Sequence, residues 1–245
     1  MRKWFRIENK GNDSNEIFLY GIIGQDFWGD GVDAEELVQD ISKMDVKNID
    51  LRINSPGGNV FDGLAIYNTL MSHKATVNVK VDGIAASIAS VIAMSGDTIE
   101  MPENAMMMIH DPSGMAIGTS KDMRALADDL DKVKTGLVSA YRDKSNMDEN
   151  VLAQMMDVET LLTAKEAVGF GLADKITEKI NIQACADMRM FNRMFKTPIP
   201  SIFCTPENIV APIENVVEPI VTDEQPNKTG LKLTLLRREF ESKRL

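Results

Sequence analysis

Short apolar runs and amphipathic stretches follow one another along the first part of the chain. The apolar or alternating runs predict strands over residues 16–23, 47–54, 77–81, 98–101 and 106–109. Helical spacing of apolar residues predicts helices over 32–44 and 60–72, and a helix of small residues is predicted to begin near Ala86. Strands and helices that alternate in this way favour an α/β fold with right-handed crossovers and a mostly parallel sheet.

The pattern becomes mainly helical after residue 119. One long helix is predicted from about Ser120 to Lys144, and shorter helices are predicted over 147–156 and from Thr163 to Gly169 or Gly171. The apolar residues of the long helix step by three or four positions: Met123, Leu126, Leu130, Val133, Leu137 and Tyr141. Such a narrow stripe is typical of a helix that packs against another helix.

Both ends of the chain differ from this alternating region. Residues 1–15 are polar, and we expect them to be mobile apart from anchors at Trp4 and Phe5. Four prolines recur between residues 205 and 227 among acidic and β-branched residues, which favours an extended linker, and the basic last stretch is a candidate helix. We therefore predict a folded domain over 1–180 and a C-terminal extension over 181–245.

Composition and charge exclude several function classes. The chain has 245 residues, a net charge of -10 and a pI near 4.8, which argues against a nucleic-acid-coating surface. No apolar run is long enough to span a membrane, and the first residues lack the apolar core of a signal peptide. Cys185 and Cys204 form neither a disulfide framework nor a metal-ligand cluster. We expect a cytoplasmic protein with no nucleic-acid or membrane partner and no metal or organic cofactor.

The stretch from Val81 to Gly96 carries the first candidate chemistry. Gly83 gives the backbone freedom at the strand-to-helix junction, which places Ser87 in the first turn of the helix. Unpaired N–H groups there favour developing negative charge, so Ser87 can act as a nucleophile, although a helix-capping serine gives the same local pattern. His73 and His110 are the only histidines, and His110 ends a predicted strand.

A glycine turn offers the remaining parts of a hydrolytic site. Serine hydrolysis needs a hydroxyl, an imidazole base, a carboxylate that orients the base, and N–H donors for the oxyanion. The natural donors are the N–H groups of Gly57 and of Ile88, which follows the serine, and Gly58 leaves room for a substrate backbone. Taken singly, a Gly-Gly turn is usually only a turn, and His110 could be a structural residue.

Four segments, in order, resemble the ClpP family of self-compartmentalised serine peptidases: INSPGG at 53–58, GIAAS at 83–87, MMMIHDP at 106–112 and LTAKEAVGFGLAD at 162–174. The resemblance covers about residues 15–180. It implies the crotonase-like spiral of ββα units. It also implies that the helix at 120–144 is the handle by which rings of subunits interlock.

The resemblance assigns roles to single residues. It implies Ser87 as nucleophile and His110 as general base. The family's usual aspartate lies a few residues before the Ser/Thr-Ala-x-Glu-Ala segment, where this chain has Glu159, with Asp157 two residues earlier. We favour Glu159 as the third member and keep Asp157 as the alternative acid. Both could instead be solvated residues at a helix end.

Within the family, three features are more similar to the ClpP-related head maturation proteases of tailed phages: GIAAS followed by Ile88, the segment DVETLLTA, and the extension at 181–245. Such proteases cleave scaffold and capsid precursors. This implies protein or peptide substrates that include capsid and scaffold proteins, and an extension that is scaffold-like or self-cleaved. The family also implies homo-oligomeric rings, heptamer or tetradecamer, and leaves docking of an unfoldase ATPase open.

Other functions are compatible with the same residues. A general ClpP-like degradative peptidase would have the same site. A crotonase-type acyl-CoA hydratase or isomerase would share the fold and a glycine oxyanion site but would need no serine–histidine pair. A serine–lysine peptidase would need a lysine base, and a non-enzymatic assembly protein would keep only the ring-forming fold and use its tail as scaffold.

Overall fold

A mixed sheet of eight strands carries the fold in the computed structural model, which describes residues 4–11, 13–24 and 34–178. The strands are β1 (Phe5–Gly11), β2 (Ser14–Ile23), β3 (Asn48–Gly58), β4 (Thr76–Ala86), β5 (Thr98–Pro102), β6 (Met106–Ile109), β7 (Thr160–Thr163) and β8 (Lys175–Thr177). The helices are α1 (Glu35–Lys43), α2 (Val60–Met71), α3 (Ile88–Ala93), α4 (Ser120–Ser145), α5 (Glu149–Asp157) and α6 (Ala164–Gly169). The predicted extension at 181–245, with its linker and terminal helix, lies outside the described residues.

Parallel pairing joins β2, β3, β4, β5 and β8 in that order. Apolar and polar residues alternate along the central strands, so one face of the sheet is buried against α1, α2 and α3. The strand residues on that face are Ile17, Leu19, Ile49, Leu51, Ile53, Val77, Val79 and Val81. The predicted α/β class with a mostly parallel sheet is confirmed.

The first strand is a correction to the sequence prediction. We expected residues 1–15 to be mobile, but Phe5–Gly11 pair antiparallel with β2. The predicted anchors Trp4 and Phe5 are buried, with ring centroids 5.1 Å apart. The rest of β1 is mostly polar, since an edge strand buries little apolar surface and is held mainly by its backbone hydrogen bonds to β2. A prediction from hydrophobic pattern alone therefore misses this strand.

The sheet forks at β4. The first half of this strand, Asn78–Lys80, pairs with β5, whereas its end, Ile84–Ala86, pairs with β6. β7 then runs antiparallel to β6. The carboxyl ends of β3, β4 and β6 therefore lie at one edge of the sheet, which is where open α/β sheets place their sites.

The long helix is confirmed as α4. A capping box between Thr119 and Asp122 starts it, and Asn146 ends it in a left-handed conformation. Its predicted apolar stripe is buried only in the C-terminal half, where Leu137 and Tyr141 join the core, whereas the Met123 side chain is exposed. Within the described ranges, no helix is both long and apolar enough to cross a membrane.

A buried carboxylate ties three strands together on the other face of the sheet. The Asp82 side chain on β4 is fully buried and accepts two hydrogen bonds from the Arg52 guanidinium on β3, at 2.7 and 2.6 Å. It also accepts one from the Tyr20 hydroxyl on β2, at 2.5 Å. The register of β2, β3 and β4 shifts directly after this cluster, so the cluster fixes the strands just before they reach the edge that bears the candidate residues.

We expect Arg52→Gln to lower the free energy of unfolding by about 3–5 kcal/mol, because the Asp82 carboxylate stays buried without its cation. Urea unfolding followed by circular dichroism measures this loss. Lys74→Gln is the matched control, since Lys74 pairs with Asp45 on the surface and its loss should cost less than about 1 kcal/mol. Similar losses in the two variants would contradict a special role for the buried cluster.

Candidate active site

Ser87 occupies a strained turn between β4 and α3. Its φ of 56° and ψ of -133° lie in a region that residues with side chains rarely adopt. The sequence predicts this serine inside the first turn of the helix, but α3 begins at Ile88, one residue later. The Ser87 N–H donates to the Met108 carbonyl at 3.0 Å, so pairing with β6 continues into the turn and sets its shape. A strained strand-to-helix turn of this kind is typical of an exposed catalytic nucleophile.

His110 comes directly after β6 and reaches the same turn. Its Nε2 atom lies 2.8 Å from Ser87 Oγ. The two residues meet because β6 runs parallel to the end of β4, with Met108 opposite Ala86. Burial lowers the pKa of the His110 imidazole, and the Glu159 carboxylate opposes that shift. A neutral imidazole at this distance can accept the hydroxyl proton.

Glu159 lies opposite His110 across the β6–β7 pair. These strands are antiparallel and pair Ile109 with Thr160. His110 follows Ile109 and Glu159 precedes Thr160, so the two residues come next to each other just beyond the end of the pairing. Glu159 has a φ of 51°, and its N–H donates to the Met156 carbonyl at 3.1 Å, which defines a tight turn between α5 and β7. The strand register therefore brings this carboxylate to the imidazole.

Asp157, the alternative acid, is engaged by a different partner. Lys134 Nζ on α4 lies 2.5 Å from the Asp157 carboxylate and 2.8 Å from that of Asp111. The hydrogen bond from Lys134 lowers the pKa of Asp157, whereas burial raises the pKa of Asp111. Of the two candidate acids, Glu159 is the one whose charge acts on His110.

Both candidate glycines lie where a side chain would not fit. Gly57 has a φ of 100°, and a Cβ atom there would lie 2.6 Å from the Cβ of Ser87. A Cβ atom on Gly58 would lie 2.1 Å from the Ile23 carbonyl oxygen. The sequence predicts a turn at these glycines, but they are the last residues of β3 and still pair with β2. The end of β3 can lie against Ser87 and Ile23 only because Gly57 and Gly58 have no side chains.

The two predicted oxyanion donors differ in their present contacts. Ile88 is the first residue of α3, so its N–H has no partner within the helix. The Gly57 N–H donates to Ser55 Oγ at 3.1 Å, and that hydroxyl donates to the Gly21 carbonyl at 2.6 Å. An oxyanion would thus have to compete with Ser55 for the Gly57 N–H, a contact that sequence reasoning missed.

No group of three or more His, Cys, Asp or Glu side chains is placed to hold a metal ion in the part of the chain that the structure describes. The other histidine, His73, forms its hydrogen bonds with backbone atoms and not with the candidate site. Its Nε2 lies 3.2 Å from the Met44 carbonyl, and its Nδ1 accepts the Ala75 N–H at 3.0 Å. His73 thus has the contacts of a structural residue.

Comparison with known proteins decides the family. The family model described as Clp protease matches residues 2–180. The chain belongs to the Clp protease family. It is 29% identical over 192 residues to the ATP-dependent Clp protease proteolytic subunit 1 of Synechococcus sp. (strain CC9902), an alignment that covers 74% of this chain and 98% of the relative. It is 30% identical over 190 residues to subunit 2 of Parasynechococcus marenigrum (strain WH8102), covering 73% and 96%.

Membership in the Clp protease family fixes the broad class of activity. The chain is a serine peptidase, a hydrolase, and its sheet and helices are consistent with the ClpP fold. Proteins of this family form oligomeric rings and work with protein substrates and ATPase partners.

The pH dependence of kcat/KM distinguishes the two candidate acids. We expect Glu159→Gln to move the acid limb to lower pH, because loss of the carboxylate removes the influence that raises the pKa of His110. The same change should lower kcat by about 10²–10⁴-fold, since the imidazolium formed during catalysis loses its stabilising charge.

Asp157→Asn is the matched control for this experiment, since it removes a carboxylate two residues away that is paired with Lys134. We expect it to leave the acid limb in place and kcat close to that of the unchanged protein. A displaced limb and a large loss in Asp157→Asn, with Glu159→Gln unaffected, would reverse the assignment.

Proposed function

We propose that the chain is a serine endopeptidase that cleaves peptide bonds through Ser87, His110 and Glu159, and that it processes capsid and scaffold proteins during phage head maturation. The observation that carries the catalytic part is the 2.8 Å contact between His110 Nε2 and Ser87 Oγ at a strained turn. Lowering of the His110 pKa by burial favours the neutral base that this chemistry needs at neutral pH.

Acylation begins when Ser87 Oγ attacks the carbonyl carbon of the substrate and His110 Nε2 takes the hydroxyl proton. Glu159 stabilises the imidazolium that forms. The tetrahedral intermediate collapses when His110 gives the proton to the leaving amine, which frees the C-terminal part of the substrate and leaves an ester on Ser87. Water then attacks this ester with His110 again as base, and the acid product leaves.

The oxyanion of each tetrahedral intermediate lies beside the start of α3 in this mechanism. The Ile88 N–H is one donor, and the Gly57 N–H is the other once it turns from Ser55 Oγ. Gly58 gives the substrate backbone access to the turn. A strong acceptor such as an oxyanion competes well against a neutral hydroxyl, since hydrogen bonds to charged groups are about twice as strong as neutral ones.

Two observations support the phage assignment. GIAAS and DVETLLTA are the variants that resemble head maturation proteases, and the chain extends over 181–245 beyond the family match at 2–180. The relative from Synechococcus is covered over 98% of its length by an alignment that takes in only 74% of this chain. The surplus suits a scaffold-like or self-cleaved segment. On this proposal the protein acts as a heptameric or tetradecameric ring in the bacterial or phage-infected host cytoplasm, with the inside of the prohead as the alternative place.

Labelling with a fluorophosphonate, read by intact mass, tests the catalytic part. We expect one adduct per chain in the unchanged protein and none in Ser87→Ala or His110→Ala. His73→Ala is the matched control, since it removes the other histidine and should keep the adduct. No adduct on the correctly assembled unchanged protein would contradict the peptidase site and favour the assembly protein.

Prolonged incubation, also read by intact mass, tests the processing role. We expect cleavage within 181–245 in the unchanged protein and an intact chain in Ser87→Ala. A purified capsid or scaffold protein should be cut into a few defined fragments. An intact C-terminus together with digestion of unfolded protein to short peptides would instead favour the general degradative peptidase.

A further inference from the structure

Two buried hydroxyl groups connect the backbone of Ser87 to α4. Ser90 Oγ lies 2.6 Å from the Ser87 carbonyl oxygen, 2.9 Å from the Met108 carbonyl oxygen and 2.8 Å from the Tyr141 hydroxyl. Ser90 is 0% exposed and Tyr141 is 1% exposed. The mechanism proposed above uses neither residue, so the cluster needs another explanation.

The two hydroxyl protons in this cluster can be assigned to donors and acceptors. Each hydroxyl has one proton, so the Tyr141 hydroxyl donates to Ser90 Oγ, and Ser90 donates to the nearer carbonyl, that of Ser87. Burial raises the pKa of Tyr141, which keeps this phenol protonated as a donor. The Ser90 N–H also donates to the Ser87 carbonyl, at 2.9 Å, so that carbonyl accepts two bonds.

Contacts hold both peptide groups that flank the Ser87 side chain, and the hydroxyl cluster supplies those on the C-terminal side. On the N-terminal side, the Ser87 N–H donates to the Met108 carbonyl, which also lies beside Ser90 Oγ. On the C-terminal side, ψ of Ser87 sets the direction of its carbonyl, and the Ser90 bonds hold that carbonyl. A strained conformation persists only where the surroundings over-determine it, and these contacts do so.

We propose, on the basis of the proposed role of Ser87 as nucleophile, that Ser90 and Tyr141 are positioning residues that hold the strained turn and keep Ser87 Oγ within reach of His110. Tyr141 acts through Ser90 and does not contact the reacting atoms. The position of the Ser87 side chain thereby depends on how α4 packs against α3, although Tyr141 is 51 positions from Ser90 along the chain.

The second-order rate constant for phosphonylation of Ser87 measures this positioning. We expect Ser90→Ala and Tyr141→Phe each to lower it about tenfold, and the double variant to be no slower than the slower single variant, because the two hydroxyls act through one chain of bonds. Additive losses in the double variant would show that the hydroxyls act separately and would overturn the proposal.

Ser95→Ala is the matched control. Ser95 is buried near the end of α3, and its Oγ donates to the carbonyl three residues earlier, that of Ile92, at 2.7 Å, as Ser90 does to Ser87. We expect Ser95→Ala to lower the melting temperature as much as Ser90→Ala does while leaving the phosphonylation rate unchanged. An equal loss of rate in Ser95→Ala would reduce Ser90 to a general stabilising residue.

A readout that does not need activity separates this proposal from the proposed function. In protein labelled with ¹⁵N-histidine there are two imidazoles, and His73→Ala assigns them. We expect the His110 ring signals to move in Ser90→Ala and Tyr141→Phe, since the 2.8 Å contact with Ser87 loosens, and to stay fixed in Ser95→Ala. If the protein does not react with the fluorophosphonate but shows these shifts, the peptidase proposal is wrong and the positioning proposal stands. Unmoved His110 signals in both variants would defeat the positioning proposal.

Discussion

The backbone of Ser87 holds a conformation that costs about 1–3 kcal/mol, and hydrogen bonds to the surrounding elements stabilise it. β4 ends beside β6, and the hydrogen bond from the Ser87 N–H to Met108 carries their pairing one residue into the turn. The same strand β6 delivers His110 and, through its antiparallel partner, Glu159. The whole candidate site therefore depends on the register of one short strand.

Burial and charge act on His110 in opposite directions. Burial favours the neutral imidazole of His110, and Glu159 favours the imidazolium, so the base is uncharged at rest and its charged form is supported when it arises. Lys134 forms ion pairs with Asp111, the residue after His110, and with Asp157, two residues before Glu159. Both carboxylates thus share one cation on α4, and Glu159 is the carboxylate whose charge acts on the candidate base.

Sequence reasoning found the candidate nucleophile, base and glycines because they stood at the ends of predicted strands, because histidine is rare in this chain, and because the motifs resemble those of one family. It favoured Glu159 but kept Asp157 as the alternative acid, since the two are only two positions apart and the strand pairing of Ile109 with Thr160 is not visible in the sequence. It missed the φ of Ser87 because a distant strand imposes that conformation. Ser90 lies in the apolar helix α3 and Tyr141 belongs to the apolar stripe of α4, where both resemble ordinary core residues, so no local signal marks their hydroxyl groups.

A structure of the phosphonylated protein tests the central claim most directly, namely that the turn at Ser87 is built for attack on a carbonyl. The account predicts phosphorus bonded to Ser87 Oγ, with the phosphonyl oxygen accepting hydrogen bonds from Ile88 N–H and from Gly57 N–H turned away from Ser55. An adduct on another nucleophile, or a phosphonyl oxygen that faces neither N–H group, would contradict it.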